Sequence, residues 1–570
     1  MSVLAQLPIP LPLQAMDFPW AAISPELVLF GVGLLVLLLD TAGEQRLATS
    51  FSAMGVLLVG AGAAVYFGET FGTREYVLCA LVGLAGVLQF ALTALWHDRP
   101  RTLGAILTAL GFAGALGVTG WQWLVSSDPG LLFDNAAIVG TDSVLGDMFA
   151  VDGVALFTRF TVCISGLLTI PLGFSYAEER RIHRGEYYPL LLFAATGMTL
   201  LAASADLLMV FISIEVLSLS LYILCGFARR DLNSQESALK YFLLGAFSSA
   251  LLLYGVALVY GVTGSTNIAE AGRAFAALDA DRGLVITAMA LLIVGLAFKT
   301  SLVPFHMWTP DVYQGAPTPV TGFMAGATKA AAFAAFLRIF VGAFAPLQWS
   351  WSPAIATLAV LTMLVGAVLA VVQTDLKRML GYSAIAHAGY ILLGLLSVTR
   401  AGISATLFYL LIYTFMSLGT FGVLALLERR TQKAVTLDDL RGLGRRYPFP
   451  AGLFALFLLS LAGIPGTAGF IAKFAVFRAA IEADQVGLVV VAVVSSVIAA
   501  FFYIRVIVAM FMDEEPVNEE APGTGVVLAP LESTTGTSFG LAVAAAAVVA
   551  FGVLPGALVD LARQAASLVG

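Results

Sequence analysis

The stretch from residue 284 to residue 344 places two lysines inside apolar segments of membrane-spanning length. Lys299 lies in the first segment, which breaks at Pro304, and Lys329 lies in the middle of the second. A charge at bilayer depth costs at least ~2.5–3.5 kcal/mol, so each lysine must be paired, be neutral or face an internal water path. A proline beside such a lysine frees backbone groups that can line a path. We therefore expect a conduit for ions or protons at this stretch.

The composition of the whole chain is that of a protein embedded in a membrane. Of its 570 residues, 60% are hydrophobic and only 11% are charged, whereas soluble proteins average about 25% charged residues. Apolar segments recur from end to end, which predicts an all-α polytopic membrane protein with about 16 transmembrane helices. The predicted spans are 24–40, 51–67, 76–95, 103–125, 151–174, 187–204, 206–227, 239–262, 284–304, 319–344, 352–372, 379–397, 404–427, 450–478, 487–511 and 538–562.

Several classes of site have no signature in this sequence. The three cysteines, Cys79, Cys163 and Cys225, lie in apolar runs without the spacing of a disulfide framework or a metal site. There is no Walker loop, no Rossmann glycine fingerprint and no cysteine cluster for iron–sulfur. We therefore expect no cofactor, metal or nucleic acid on this chain, and energy must come from partner proteins or an ion gradient. The N-terminus lacks a basic n-region, so no cleavable signal peptide is predicted.

The basic residues divide unequally between the two sets of loops that alternating spans create. One set holds sixteen and the other four, which predicts that the first set is cytoplasmic and that both termini are periplasmic. The acidic stretch 513–520 then lies on the inner side, where acidic residues have little influence on topology. The sixteen are Arg46, Arg99, Arg101, Arg180, Arg181, Arg184, Arg229, Arg230, Lys377, Arg378, Arg429, Arg430, Lys433, Arg441, Arg445 and Arg446, and the four are Arg74, Arg273, Arg282 and Arg400.

Two sets of five spans indicate an internal repeat. The fourth span of each set is interrupted by proline near a lysine, with Lys299 before Pro304 in one and Lys473 after Pro465 in the other. Because five is odd, the second set enters the membrane from the opposite side, and such inverted repeats with broken helices are typical of transport proteins. The predicted divisions are N-terminal helices 1–150, a linking helix 151–186, repeats 187–344 and 352–512, and an acidic cytoplasmic loop with a C-terminal helix 513–570.

Two charged residues in the middle of spans are candidates for a proton pathway. Glu215 lies in an apolar run where an acid requires a partner or a pathway; the alternative is a structural hydrogen bond to a neighbouring helix. Lys329 is flanked by small residues that permit close packing and room for water. Its alternative role is an ion pair with Glu215 or Asp311.

Other candidates have competing explanations of their own. Lys240 follows Glu236 by four residues, which is also the spacing of an ordinary surface helix pair. His306 follows the proline break and can relay a proton, because an imidazole changes charge near neutral pH. His387 lies in the middle of a span and serves either as a relay or as a hydrogen bond between helices. The complete set of predicted pathway residues is Glu215, Lys240, Lys299, His306, Lys329, His387 and Lys473.

Three blocks of sequence resemble one protein family. They begin at residues 298, 460 and 236 and read FKTSLVPFHMWTPDVYQGAPTPVTGFMAGATKAAAF, SLAGIPGTAGFIAKF and ESALKYFLLGAFSSALLLYG. They are similar to the antiporter-like membrane subunits of respiratory complex I, and the PDVYQGAPTPV segment is similar to the subunit N type. The resemblance covers roughly residues 150–512. It implies a proton-translocating subunit of NADH:quinone oxidoreductase in the cell inner membrane, with fourteen core helices in which two five-helix repeats are inverted. This chain departs from it by about two extra spans before residue 150.

The resemblance also implies roles for the candidates. Glu215 and Lys299 would form a paired switch, Lys329 with His306 would form a central relay, and Lys473 would end the outer half-channel. By the same resemblance, NADH, FMN, iron–sulfur clusters and quinone would be bound by other subunits. The partners would be the other antiporter-like and small membrane subunits and the lipid bilayer.

The resemblance also matches Lys240 to a family lysine near the inner opening, which favours a place on the pathway. Two alternative functions stay open from the sequence. A subunit of a multisubunit cation/proton antiporter shares the fold and the buried lysines. A structural membrane scaffold belongs to a different class, in which the charges only lock helices together. Sodium-dependent transport without NADH-linked activity would favour the antiporter, whereas loss of assembly in charge variants would favour the scaffold.

Overall fold

A computed structural model of the chain describes residues 22–43, 100–127, 148–277, 282–431, 435–513 and 533–567. These residues are almost entirely helical, and their only β-type pairing is three isolated backbone bridges. Eleven of the described helices are long and apolar enough to cross a membrane, so the predicted all-α polytopic fold is confirmed. The spans predicted at 51–67 and 76–95 lie outside the described residues.

Each predicted span within the described residues coincides with a helix or a broken helix. Aspartates cap four of these helices, because a carboxylate accepts hydrogen bonds from the free N–H groups of a first turn. The helices are α1 Ser24–Gly43, α2 Pro100–Ser127, α3 Gly153–Glu179, α4 Tyr187–Ala203, α5 Leu207–Cys225, α6 Leu232–Thr263, α7 Ile268–Ala277, α8 Arg282–Thr300, α9 Trp308–Gly315, α10 Thr318–Ala343, α11 Gln348–Val371, α12 Leu376–Leu396, α13 Arg400–Thr431, α14 Leu443–Arg446, α15 Pro448–Ala462, α16 Ala468–Glu482, α17 Val486–Phe511, α18 Thr535–Val553 and α19 Gly556–Ser567.

Both predicted helix breaks are present. The helix α8 ends at Thr300, because Ser301 adopts a left-handed conformation with φ of 66°, and the chain resumes as α9 after residue 307. The helix α15 ends at Ala462, where Gly463 takes φ of 84° and supplies the left-handed cap that glycine favours. The helix α8 therefore ends four residues before Pro304, whereas the predicted span 284–304 continues to that proline.

The last predicted span, 538–562, is wrong as a single helix. The structure divides it into α18, which ends at Val553, and α19, which starts at Gly556. Pro555 lies between them, and proline disfavours helical conformation in the residue before it. The C-terminal part of the chain therefore contains one spanning helix followed by a short helix.

The same backbone bridge occurs in each predicted repeat. In the first, Asp206 caps α5 and pairs with Asn267, which follows α6. In the second, Asp375 caps α12 and pairs with Thr436, which follows α13. These helices are the second and third of each predicted set of five, so the recurrence supports an internal repeat.

An arginine contact recurs in the same way. Arg338 in α10 donates to the Ala202 carbonyl at the end of α4 (2.6 Å), and Arg505 in α17 donates to the Val371 carbonyl at the end of α11 (2.9 Å). The start of α3 lies beside the first contact, because Asp152 pairs with Arg338. The other end of α3 lies beside the start of α12, which follows closely after the end of α11 and therefore lies near the second contact. The two contacts are therefore at opposite ends of the bundle, as an inverted repeat requires.

The helix α13 runs through the centre of the bundle and packs against α3, α10, α12, α15, α16, α18 and α19. Its spanning part is completely buried. In contrast, α6 and α17 expose large apolar side chains, such as Phe247 and Val497, which suits contact with lipid. Lys329 on α10, His387 on α12 and Lys473 on α16 are buried in this packed region, where hydrogen-bonding groups can surround them.

Candidate functional site

Lys299 lies in the last turn of α8 and is almost completely buried. Its ammonium group donates a hydrogen bond to the Ser218 hydroxyl on α5 (2.6 Å). The rings of Tyr222 and Tyr241 lie 5.4 and 5.3 Å from Nζ, a distance at which aromatic faces attract a cation. With the Phe298 ring at 5.5 Å, a serine and three aromatic rings, rather than a carboxylate, are thus the immediate neighbours of this charge.

Glu215 precedes Ser218 by about one turn of α5, so the two side chains share a helix face. Its Oε1 atom is buried, and no hydrogen-bond partner for that atom occurs among the described residues. The direct Glu215–Lys299 ion pair that the resemblance implies is not formed between these described residues, since Ser218 takes the ammonium instead. The hydrogen bond to Ser218 nevertheless joins Lys299 to α5, the helix that carries Glu215.

Lys329 lies in the middle of α10, directly after a π-helical turn, Met324–Thr328. Only 2% of its surface is exposed. Its ammonium group donates to the Ala384 carbonyl on α12 and lies 5.3 Å from the ring of Tyr413 on α13. No carboxylate pairs with it within the described parts of the chain, so the alternative ion pair with Glu215 or Asp311 is not formed there. Such π turns are frequent at functional sites.

His387 lies on α12, next to the turn that receives Lys329, and is completely buried. Its Nδ1 atom is 2.8 Å from the Tyr409 hydroxyl, and its Nε2 atom is 3.3 Å from the Tyr503 hydroxyl. The rings of Tyr413 and Tyr390 also contact the imidazole, at 5.1 and 5.7 Å between centroids. Both ring nitrogens therefore have hydroxyl partners that can exchange protons.

Lys473 lies on α16, the second half of the broken helix, and 5% of its surface is exposed. It donates to the Ala462 carbonyl (2.9 Å) and to the Ser496 hydroxyl (2.8 Å), and its Nζ is 4.9 Å from the Tyr390 ring. Ala462 is the last residue of α15, whose carbonyl the break leaves free. The lysine thus caps a helix C-terminus, where the helix dipole favours a positive charge.

Together these contacts form a central row, which we define as Lys329, Tyr413, His387, Tyr390 and Lys473. Adjacent members are separated by ring or cation–ring distances of 4.9 to 5.7 Å. The structure therefore brings together three of the predicted pathway residues from three different helices. The row contains two amines and one imidazole, and among the described residues no carboxylate pairs with any of them.

The remaining N-terminal candidates are not part of this row. His306 lies in the break after α8, half-buried, and its Nδ1 atom has no hydrogen-bond partner within the described ranges. In the same ranges, no hydrogen bond joins His306 or Lys299 to Lys329, so the implied Lys329–His306 relay has no direct contact. The helices α8 and α10 do pack together, which places Lys299 on a neighbour of the row.

Lys240 lies at a polar cleft rather than in an isolated surface pair. Its ammonium group contacts Glu236 in the preceding turn (2.5 Å) and also Asp311 on α9 (2.6 Å). Asp311 in turn binds Arg378 at the start of α12 (2.5 Å). These residues line an open cleft of about 250 Å³ together with Gln314 and others. The lysine therefore connects α6 to the second half of the broken α8 helix, beyond its i,i+4 pair.

Two buried ion pairs lie outside the predicted set of site residues. Arg159 on α3 is held by both carboxylate oxygens of Glu26 (2.8 and 3.1 Å) and by the Gln122 side chain (3.1 Å). An arginine and a glutamate inside predicted spans could have indicated this pair, because charges at that depth need partners. Lys377, predicted in a cytoplasmic loop, is instead buried beside Glu428 (3.6 Å). Lys377 and Glu428 are each followed by an arginine in the sequence, so both look like residues of a solvated loop.

The described residues contain no group of three His, Cys, Asp or Glu side chains that could hold a metal ion. What this arrangement offers chemically is a series of buried proton donors and acceptors. The amines of the central row, the imidazole of His387 and the tyrosine hydroxyls can each gain or lose a proton. Because no carboxylate within the described ranges pairs with the amines of the central row, their protonation depends on their other neighbours.

Comparison with known proteins identifies relatives along nearly the whole chain. A family model described as NADH:quinone oxidoreductase/Mrp antiporter, TM, matches residues 204–499. The NADH-quinone oxidoreductase subunit N of Rhodococcus opacus is 45% identical, over 97% of this chain and 96% of that protein. The protein of the same name from Mycobacterium bovis is 50% identical, over 69% of this chain and 73% of that protein.

Two solved structures are also similar to this chain along most of its length. A chain of respiratory complex I from Thermus thermophilus has 36% sequence identity and a TM-score of 0.65, over 84% of this chain and 98% of that chain. A chain of the Mrp complex from Dietzia has a TM-score of 0.69 at 24% identity, over 82% of this chain and 92% of that chain. The second likeness shows a shared fold alone.

Proposed function

Because the chain belongs to the NADH-quinone oxidoreductase subunit N family, we propose that it moves protons across the membrane as a subunit of NADH:quinone oxidoreductase. The observation that carries the proposal is the central row, in which two buried amines flank a buried imidazole without carboxylate partners in the described residues. A membrane scaffold would neutralise such charges with ion pairs, as Arg159 and Glu26 do elsewhere in this chain.

The proton path that we propose starts at the end of the bundle where Lys240 and Asp311 line an open cleft. Lys299 then receives the proton, and Lys329 passes it through His387 to Lys473. Lys473, on the half of the broken helix that continues outward in the predicted topology, releases it to the periplasmic side. Tyrosine hydroxyls at 2.8 and 3.3 Å from His387 support the central transfer, because hydroxyls both donate and accept.

The driving step is a rearrangement of Glu215 and Lys299. A membrane potential of ~150 mV is worth about 3.5 kcal/mol per charge, and since one pKa unit is about 1.4 kcal/mol, a change of ~2.5 units moves one proton against it. Closing an acid–base pair in a low-dielectric site can supply that change. A rotation of the Lys299 side chain from the Ser218 hydroxyl toward the Glu215 carboxylate would close this pair.

The oxidation of NADH and the reduction of quinone belong to other subunits in this proposal. NADH, FMN, iron–sulfur clusters and quinone would be bound there, and the energy would reach this chain through its contacts with neighbouring membrane subunits. Subunits of the complex I membrane arm are therefore its expected partners, in the cytoplasmic membrane, with both termini in the periplasm. The uneven distribution of basic residues supports this orientation.

The test of the proposal is the variant Glu215→Gln. Gln keeps the size of the side chain and removes the charge, so we expect the complex to assemble and proton translocation to fall severalfold. Proton uptake in vesicles at matched expression measures this effect. Glu482→Gln is a suitable control, because Glu482 lies on the surface in a pair with Arg478. Full translocation by Glu215→Gln would remove this acid from the pathway.

The same preparations distinguish the two other functions. Sodium-dependent proton exchange without NADH-linked turnover would identify a cation/proton antiporter subunit, a function that the shared fold with the Mrp complex permits. Loss of assembly in each charge variant, with unchanged transport in whatever complex remains, would identify a scaffold.

A further inference from the structure

The buried pair of Lys377 and Glu428 forms the core of a second polar site, the inner charge cluster, which we define as Lys377, Glu428, Thr318 and Tyr176. Lys377 Nζ lies 3.6 Å from Glu428 Oε1. The Thr318 hydroxyl donates to Glu428 Oε2 at 2.6 Å, and the Tyr176 hydroxyl donates to the same atom at 3.1 Å. One carboxylate thus receives an ammonium and two hydroxyl groups.

The cluster is almost completely closed to the outside, and Arg180 lies beside it. The side chains of Lys377 and Glu428 are 6% and 4% exposed. Lys377 also donates to the Ala316 carbonyl (2.7 Å) and to the Thr318 hydroxyl (3.1 Å), and Arg180 reaches the backbone carbonyl of Glu428 (3.3 Å). Replacing a buried ion pair by apolar residues is often neutral or stabilising. Stability alone therefore does not explain why the charges are here.

The cluster and the Lys329 site are built on the same three helices. Thr318 begins α10, which carries Lys329, and lies about 16 Å from it along the helix axis at 1.5 Å per residue. Lys377 begins α12, and the Ala384 carbonyl that binds Lys329 follows about two turns later. Glu428 lies on α13, which also supplies the ring beside Lys329.

Buried hydroxyl groups lie on the two helices α10 and α13 between the two sites. On α13, Ser417 and Thr420 lie on the helix face that connects Tyr413 to Glu428, by the 3.6-residue periodicity, and both are buried. On α10, the Thr328 hydroxyl beside Lys329 is buried, and no hydrogen-bond partner for it occurs in the described ranges. Hydroxyl groups in such positions can exchange protons with one another through transient waters.

We propose that Glu428 is a further proton-carrying residue of this pathway, which loads protons from the cytoplasmic side and delivers them to Lys329. The Glu428 carboxylate takes up a proton on the side of the cluster where Arg180 lies. The protonated site then has one positive charge, on the Lys377 ammonium, which disfavours the uptake of a second proton. The Thr318 hydroxyl then passes the proton toward neutral Lys329, which becomes an ammonium group, and Glu428 returns to a carboxylate. This proposal rests on the proposed function above and adds an uptake site separate from the cleft at Lys240.

The variant Glu428→Gln tests this role, because Gln retains the shape and can still accept from Thr318 but cannot take up a proton. We expect the assembled complex to show proton uptake about tenfold slower or more, since a positioned proton-transfer group contributes about 10²–10⁴-fold. Glu428→Asp, which keeps a carboxyl group, should restore a measurable part of the uptake, compared at equal amounts of assembled complex so that a structural defect is not scored as a transport defect. Wild-type uptake in assembled Glu428→Gln complex would overturn the proposal.

Two further variants keep the outcomes distinguishable. Lys329→Met in the same preparation reports on the proposed function: loss of uptake there with normal uptake in Glu428→Gln refutes only the inner charge cluster. Normal uptake in both refutes the pathway itself. If Glu428→Gln prevents assembly, Thr318→Val takes its place, because valine conserves the shape and leaves the ion pair. Slower uptake by Thr318→Val then supports the proposal, and unchanged uptake overturns it. Glu482→Gln serves as the surface control.

Discussion

Replacement of Lys473 by Met removes a proton carrier from the end of the central row while preserving most of the packing. The ammonium group makes hydrogen bonds to the Ala462 carbonyl and the Ser496 hydroxyl, at 2.9 and 2.8 Å. Methionine has a similar length and fits a buried site, but it cannot donate to either acceptor. The carbonyl at the end of α15 would then lack its partner.

The stability cost of this change should be limited, because two effects oppose each other. Each hydrogen bond from a charged donor contributes about 1.5–3 kcal/mol. Removing a charge from bilayer depth recovers ~2.5–3.5 kcal/mol. The two hydrogen bonds together contribute about 3–6 kcal/mol, so the net cost is at most about 3.5 kcal/mol, and we expect the complex to assemble with Lys473→Met. Transport, in contrast, loses the titratable side chain that lies 4.9 Å from the Tyr390 ring at the end of the row.

Lys473→Glu separates the loss of charge from the loss of a titratable group. A protonated carboxyl group can donate to the Ala462 carbonyl, so this variant should keep a measurable part of coupled turnover, whereas Lys473→Met should lose most of it. Quinone-linked NADH oxidation and proton uptake, measured in the same membranes, provide the assay. Wild-type values for Lys473→Met would refute the reasoning and show that protons leave by another route.

Three further predictions concern the rest of the chain. Reporter fusions should place both termini in the periplasm, and strong cytoplasmic reporter activity at either end would contradict the topology. Glu26→Gln leaves Arg159 buried without its charge partner and should destabilise the assembled complex by about 3–5 kcal/mol, whereas Glu26→Gln with Arg159→Met should recover much of this in thermal unfolding. Burial, with the Arg101 guanidinium nearby, lowers the pKa of His183 from 6.5 to about 4. Only the unfolded imidazole protonates between these values, so stability should fall as the pH drops through this window, and His183→Gln should weaken that dependence.

The positions of the helices and their breaks could be predicted because they depend on local properties. Apolar length, Pro304 and Pro465 are sufficient to locate spans and interruptions, and Lys299, Lys329 and Lys473 stand out as charges within apolar runs. Pro555 carries the same information, but the apolar residues on both sides of it suggest a single span. Local patterns thus identify which residues are unusual.

The partners of those residues could not be predicted, because they depend on packing between distant helices. Charge alone suggests that Lys299 pairs with Glu215. In the structure, Ser218, which follows Glu215 by about one turn of α5, contacts Lys299 instead. Glu428 and Lys377 look like the ends of solvated loops, yet α3 and α10 cover them. The tyrosines around His387 come from three different helices and have no common sequence pattern.

The central claim is that protons cross this chain through the central row, and Lys329→Met tests it most directly. The purified complex carrying this variant is placed in vesicles, and proton uptake and NADH oxidation are recorded together, with Arg563→Met, a change in a surface ion pair, as the control. We predict normal assembly, strongly reduced proton uptake and a matching fall in coupled turnover. Proton uptake at the wild-type rate, with wild-type NADH oxidation, would contradict the account.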